Sequence, residues 1–140
     1  MKELNYKKIN KSIILYDSRC VLCNEYIHFV IKNDKNNRLC FTSIYSIIGK
    51  QIIKDYEIDF SLNNTIILYQ DHIIKKKSDA ILEIIKKLRF PINTIYIFYI
   101  IPKFIRNYIY NSIAKNRYQI FGKYNRCKIP NKEYIKKFLN

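Results

Sequence analysis

The sequence predicts an α/β fold: a mixed sheet of about four strands in the order β-α-β-α-β-β-α, with extra helices toward the C-terminal end. Three observations carry this expectation. Short apolar runs rich in strand formers recur at residues 13–16, 38–44 and 65–69. Segments with apolar residues at helical spacing separate them. The third run is followed almost at once by a fourth, a link that fits a hairpin and leaves no room for another crossover.

The elements follow in order. Ile13, Ile14, Leu15 and Tyr16 read as a buried strand, which Asp17 and Ser18 end. From Cys20 the period changes. Leu22, Tyr26, Phe29 and Val30 fall on one helical stripe, and the polar stretch 33–37 stops it. Residues 38–44 read as a second strand, parallel to the first across that helix. Residues 45–56 predict a second helix with Ile47, Ile48, Ile52 and Tyr56 facing inward, and a loop covers 57–64. The strand 65–69 and a fourth at His72, Ile73 and Ile74 are joined by Gln70 and Asp71 as an antiparallel hairpin. Lys75, Lys76 and Lys77 form the densest charge run and read as a solvated turn or strand end.

Ser78 is the expected N-cap of a third helix, with Asp79 in its first turn and Lys86, Lys87 and Arg89 in its last. Ile81, Ile84, Ile85 and Leu88 make its apolar face. Beyond Phe90 the character is helical. Pro102 opens a helix on which Ile105, Tyr108, Ile109 and Ser112 repeat at helical spacing, and Gly122 breaks it. Asn131, just after Pro130, caps a short final helix that turns Tyr134, Ile135 and Phe138 inward. A βαβ unit followed by a hairpin and a helix is the thioredoxin arrangement. A single thioredoxin-like domain over residues 1–140 is therefore expected, with a helical extension from about residue 91.

Composition bounds the class. Hydrophobic residues make up 49% of the chain and aromatic residues 15%, enough for a core that needs no disulfide or metal. The net charge of +15 often marks a nucleic-acid or anionic-membrane partner. Here it comes with much Ile, Asn and Tyr and only two glycines. All of the favoured residues have AT-rich codons, so coding bias accounts for the charge and a nucleic-acid partner is not expected. Residues 1–12 are Lys-rich without an apolar region behind them, so no signal peptide is expected. The most apolar stretch, 95–101, lies between Pro91 and Pro102 and is far shorter than the roughly 20 residues of a transmembrane helix. A monomer in the cytoplasm or an organelle stroma follows as the expectation.

Of the four cysteines, Cys20, Cys23, Cys40 and Cys127, the first two carry the chemistry. In a reducing compartment a Cys-x-x-Cys points to redox chemistry or metal binding rather than a static disulfide. The pair stands where the first strand meets the first helix. Residues three apart on a helix have Cβ atoms about 5–6 Å apart, and a disulfide needs roughly 3.5–4.5 Å, a gap that a helix's first turn closes with little strain. The free N–H groups and dipole of the helix start favour an anion at Cys20, and Arg19 adds positive charge. Cys20 is thus the expected nucleophile and Cys23, one turn deeper, the resolving thiol. Asp17 ends the strand beside them. It reads equally as a carboxylate that accepts a proton or holds the loop, and as a plain turn residue.

With those residues in hand, the chain resembles the DCC family of thiol–disulfide oxidoreductases, named for an Asp-x-x-Cys-x-x-Cys motif. That motif reads Asp17-Ser18-Arg19-Cys20-Val21-Leu22-Cys23 here, and a similar A-x-N-R-Y-x-x-F-G segment reads Ala114-Lys115-Asn116-Arg117-Tyr118-Gln119-Ile120-Phe121-Gly122, followed by Cys127. Ser78 with Ala80, and Ile101 with Pro102, also look like the family. The resemblance implies a protein-disulfide reductase type of enzyme with Cys20, Cys23 and Asp17 at its site, no cofactor, a protein or small-molecule disulfide as substrate and a thiol as electron donor. Two positions depart from pattern: Ser18 stands where the family usually has Gly, and Asn64-Thr65 where thioredoxins carry a cis-proline.

Two other readings stand beside this one. Cys20 and Cys23 could form half of a zinc site completed by Cys40, Cys127, His28 or His72, although no second Cys-x-x-Cys exists. Lys and Arg interleaved with Tyr over 103–126 could track a phosphate backbone, although core packing at helical spacing explains those tyrosines more simply. Cys40, next to Leu39 on the second strand, reads as a small buried hydrophobe.

Overall fold

The computed structural model describes residues 5–59, 66–122 and 137–139. The strands are β1 (Ser12–Tyr16), β2 (Leu39–Ser43), β3 (Ile66–Gln70), β4 (Ile73–Lys76) and β5 (Phe138–Leu139). The α-helices are α1 (Val21–Asn33), α2 (Ile47–Asp55), α3 (Lys77–Lys86) and α4 (Lys103–Phe121), and a 3-10 helix spans Ile92–Ile100. The strands form one sheet in the order β4-β3-β1-β2-β5. β1 runs parallel to β2 with Ile14 opposite Phe41, and antiparallel to β3 with Ile14 opposite Leu68. β3 and β4 are antiparallel. This is the expected thioredoxin-like α/β arrangement.

The sheet is buried on both faces, which is why its central strands are apolar without alternation. Successive side chains still point to opposite sides. Ile14, Tyr16, Leu39, Phe41, Ile66 and Leu68 pack under α1 and α3. Ile13, Leu15, Cys40, Ile67 and Tyr69 face the other way, onto Ile48 and Ile52 of α2. Cys40 is indeed a buried member of this second core. The β3–β4 link is the two residues Asp71 and His72, both at positive φ (49° and 65°), as a tight primed hairpin turn demands. At the other end of the first crossover, the Asp34 carboxylate accepts hydrogen bonds from the N–H groups of Arg38 and Leu39, each 3.1 Å. These bonds fix where β2 begins.

Several expectations are corrected. The inward stripe of α1 is Cys23, Ile27, Val30 and Ile31, and Phe29 lies on the exposed side. In α2, Ile48 and Ile52 are buried but Ile47 is 77% exposed, because Ser46 caps the helix and sets its phase. Ser78 is not an N-cap. It sits inside α3 and donates to Oδ1 of Asn107 on α4. On α4 the buried residues are Tyr110, Ala114 and Arg117, whereas Ile105, Tyr108, Ile109 and Ser112 face outward. Core packing therefore accounts for Tyr110 and not for Tyr108. To the four strands read from the sequence the sheet adds a fifth. Phe138 belongs to the fifth, where its ring meets Tyr16 and Phe41 and Leu139 O accepts from Thr42 Oγ1 at 2.9 Å. The open edge of β2 takes up this end segment as a parallel strand. Pro130, Asn131, Tyr134, Ile135, Cys127 and Asn64-Thr65 lie outside the described residues. Among the described residues no helix is long and apolar enough to cross a membrane.

The β2–α2 corner is built around Gly49. Ser46 Oγ accepts from the Gly49 N–H at 2.9 Å, and a Cβ at Gly49 would stand 2.0 Å from the Ser43 carbonyl oxygen. Gly→Ala within a helix ordinarily stabilises by roughly 1 kcal/mol. Here steric overlap reverses the sign, and Gly49→Ala is expected to lower the unfolding free energy by about 1–3 kcal/mol. Urea denaturation checks this, and a stabilised variant would refute the corner's geometry.

Candidate active site

Tyr16 closes β1, and the chain turns through Asp17, Ser18 and Arg19 into α1. Hydrogen bonds from three directions hold this turn. Cys20 N–H donates to the Asp17 carbonyl at 3.1 Å. The Arg19 N–H donates to Asp17 Oδ1 at 3.0 Å. Asn24, one turn into the helix, donates through Nδ2 to the carbonyls of Ser18 (2.7 Å) and Cys20 (2.9 Å). Ser18 pairs its hydroxyl with that of Ser43 at 2.7 Å and is not among the positive-φ residues, so a side chain is accommodated where the family usually has glycine.

Cys20 is the N-cap of α1. Its backbone is extended (φ −83°, ψ 122°), and its sulfur accepts from the Cys23 N–H at 3.2 Å. The expected juxtaposition therefore holds: the two cysteines are close, both as thiols. The hydrogen bond from the Cys23 side chain is the largest influence on Cys20. Together with the Cys23 N–H and the Arg117 charge it outweighs burial and pulls the thiol down to about 7. The same hydrogen bond, followed by burial, pushes Cys23 up. A pair that shares one proton behaves this way, with the anion on one sulfur and the proton on the other. The helping positive charge comes from Arg117. Arg19, expected in that role, lies over the Tyr45 ring at 4.6 Å.

Arg117 and Tyr118 are the residues that sequence reasoning left without a role. Tyr118 donates its hydroxyl proton to Asp17 Oδ2, and Arg117 Nη2 reaches the same oxygen at 3.3 Å. Arg117 also donates through Nη1 to the Ala114 carbonyl at 2.8 Å and stacks on the Tyr118 ring at 4.4 Å. Asp17 is 1% exposed and Arg117 3%, so this is a buried ion pair joining α4 to the loop before the cysteines. Asp17 thus does more than close a turn: one oxygen holds the loop and the other holds α4. The only available signal was the Arg-Tyr pair within the downstream motif.

Access to the sulfurs is restricted. Cys20 is 0% exposed and Cys23 3%, so the thiol expected from the sequence to be the nucleophile does not lie open on the surface. A partly open pocket of about 200 Å3 includes Cys23 in its wall, with Leu22, Tyr26, Ile66, Tyr110 and Ala114 around it. Among the described residues no group of three or more His, Cys, Asp or Glu side chains gathers around a point that could hold a metal ion. His28 is half-buried on α1, and His72 sits in the exposed hairpin turn.

The Asp17–Arg117 pair generates a stability prediction. Removing one partner of a buried ion pair leaves an uncompensated charge, at a cost of about 3–5 kcal/mol. Arg117→Met should lower the unfolding free energy by that order in urea titrations, and adding Asp17→Asn should recover part of the loss. A loss below about 1 kcal/mol, the scale of a surface pair, would show that the pair does not hold α4 to the loop.

The chain is 33% identical over 133 residues to the uncharacterized protein YuxK of Bacillus subtilis, covering 95% of this chain and 97% of that one. It is 28% identical over 125 residues to a chloroplastic DCC family protein of Arabidopsis thaliana, covering 89% and 73% of the two chains. No solved structure matches it significantly. The family model described as DCC1-like thiol-disulfide oxidoreductase matches residues 14–123, a span that runs from β1 through the cysteine pair to the end of α4, and the chain belongs to that family.

Proposed function

We propose that the protein is a protein-disulfide oxidoreductase that cycles Cys20 and Cys23 between dithiol and disulfide. The observation that carries this reading is the Cys20 sulfur capping α1 while hydrogen-bonded to Cys23. A thiolate is the attacking form, and near neutral pH this arrangement supplies one beside a second, protonated thiol.

The steps balance as follows. The Cys20 thiolate attacks one sulfur of a substrate disulfide, and the other substrate sulfur leaves as a thiolate. Cys23 then loses its proton and attacks Cys20 Sγ in the mixed disulfide, releasing the second substrate sulfur as a thiolate. The substrate has gained two electrons, and the protein holds a Cys20–Cys23 disulfide. A dithiol or two monothiols of the compartment reverse the change in the protein by the same exchange chemistry. Asp17 is the proposed acceptor of the Cys23 proton, a role its buried place beside the pair supports. Arg117 and Tyr118 hold its carboxylate in position.

Because Cys20 is fully buried, substrate must displace what covers it, and exchange is slower than pKa alone predicts. The reaction needs a compartment that keeps Cys20 and Cys23 reduced, the cytoplasm or an organelle stroma, and one chain acting as a monomer carries both sulfurs. Cys20→Ser should abolish insulin-disulfide reduction. Cys23→Ser should stall at the mixed disulfide, visible as a thiol-sensitive mass adduct on Cys20. Full activity in the Cys20→Ser variant would remove the proposed nucleophile.

A further inference from the structure

The 3-10 helix and the start of α4 leave an apolar face in water. None of the nine residues of the 3-10 helix is buried, and Ile97, Phe98 and Ile100 are exposed, Ile100 to 81%. α4 begins two residues further on. Phe104, Ile105, Tyr108 and Ile109 share one side of its first two turns, and all four are exposed. Apolar groups gathered in this way mark a surface that meets a partner.

Basic side chains border this face. A second, open pocket of about 420 Å3 is lined by Lys75, Lys76, Lys77 and Lys103, with Tyr99 and the carboxylate of Asp79. Tyr99 lies between Phe98 and Ile100 in the chain, and Lys103 precedes Phe104, so the pocket and the apolar face adjoin. Lys75 pairs with Glu83 at 3.1 Å and Lys103 with Asp79 at 2.9 Å. Among the described residues no carboxylate lies within ion-pair distance of Lys76 or Lys77. Between Glu83 and Glu133 the sequence has eleven Lys or Arg and no Asp or Glu. Coding bias raises Lys along the whole chain, and it does not account for this sorting of charge.

The chemistry of the face selects its partner. Lys is depleted at protein–protein interfaces. A second copy seated on the face would bring the same lysines together, like charge against like. An anionic bilayer offers apolar depth beside a layer of phosphates, which suits exposed Phe, Ile and Tyr rimmed by Lys. We propose that this face docks the protein on an anionic membrane surface, with Phe98, Ile100, Phe104 and Tyr108 in the acyl boundary and the lysine pocket on lipid phosphate. The docking is peripheral and independent of the redox reading.

The test is cosedimentation of the full chain with vesicles of phosphatidylglycerol and phosphatidylcholine in equal parts, at about 0.15 M salt, where long-range attraction is screened. Binding to pure phosphatidylcholine should be about 10-fold weaker or more. Lys76→Gln with Lys77→Gln should weaken binding to the mixed vesicles by about 10-fold or more, since each basic residue near the surface contributes roughly fivefold. Phe98→Ser with Phe104→Ser should do the same by removing apolar area. Ile100→Asn carries the apolar arm if circular dichroism shows that double variant misfolded. No binding to the mixed vesicles would overturn the proposal. So would unchanged binding in the apolar variants, which shows adsorption by charge only, or in the lysine variant. A dimer in sedimentation velocity that Phe98→Ser with Phe104→Ser dissolves would assign the face to a second copy and overturn it as well.

Discussion

A sulfur serves as the helix cap at the start of α1, and the behaviour of the site depends on that substitution. Caps are ordinarily Ser, Thr, Asp or Asn, whose oxygen accepts one of the N–H groups a helix leaves unsatisfied. Here the acceptor is Cys20 Sγ, and the donor is the backbone of Cys23. A thiolate accepts such a bond better than a thiol does, so folding the helix start favours ionisation. Burial works against the anion. The outcome is decided by what else converges: the Cys23 side chain, its N–H and the Arg117 guanidinium together exceed the burial cost at Cys20, whereas at Cys23 both the shared hydrogen bond and burial act upward. Two chemically identical groups three residues apart are thereby made unequal.

The inequality draws on the far end of the fold. Arg117 comes from the last turns of α4, and α4 is held across the site by contacts along its length. Lys103 and Arg106 pair with Asp79 on α3 at 2.9 Å each. The Tyr110 hydroxyl accepts from the Ile66 N–H of β3 at 3.2 Å. Arg117 and Tyr118 close on Asp17. Gly122, at φ 91°, ends the helix immediately afterwards in a conformation that disfavours side chains. α4 is therefore part of the site: it supplies one wall of the pocket and, in Arg117, a cation that favours the Cys20 thiolate.

What could be read from the sequence follows from the range of the interactions concerned. The strand segments, the hairpin and the position of Asp17, Cys20 and Cys23 were legible because each rests on a short continuous apolar run or on contacts within a few residues. The faces of the helices were harder. Ile, Tyr and Phe are so abundant that apolar positions outnumber places in the core, and periodicity loses contrast. Phe29, Ile47, Ile105 and Tyr108 all fit a helical stripe and all face outward. The Asp17–Arg117 pair spans 100 positions, and nothing local to either residue announces the other. Phe138 looked helical by spacing, but pairing with the open edge of β2 decided its conformation.

Ultraviolet thiolate absorbance against pH tests the central claim without requiring a reagent to reach buried sulfur. One thiolate per chain should appear with a midpoint near pH 7, vanish in Cys20→Ser and move to higher pH in Cys23→Ala, where the shared proton is gone. If the wild-type chain instead forms no thiolate until about pH 8.5, the value of an ordinary cysteine, the capping sulfur is not an activated one.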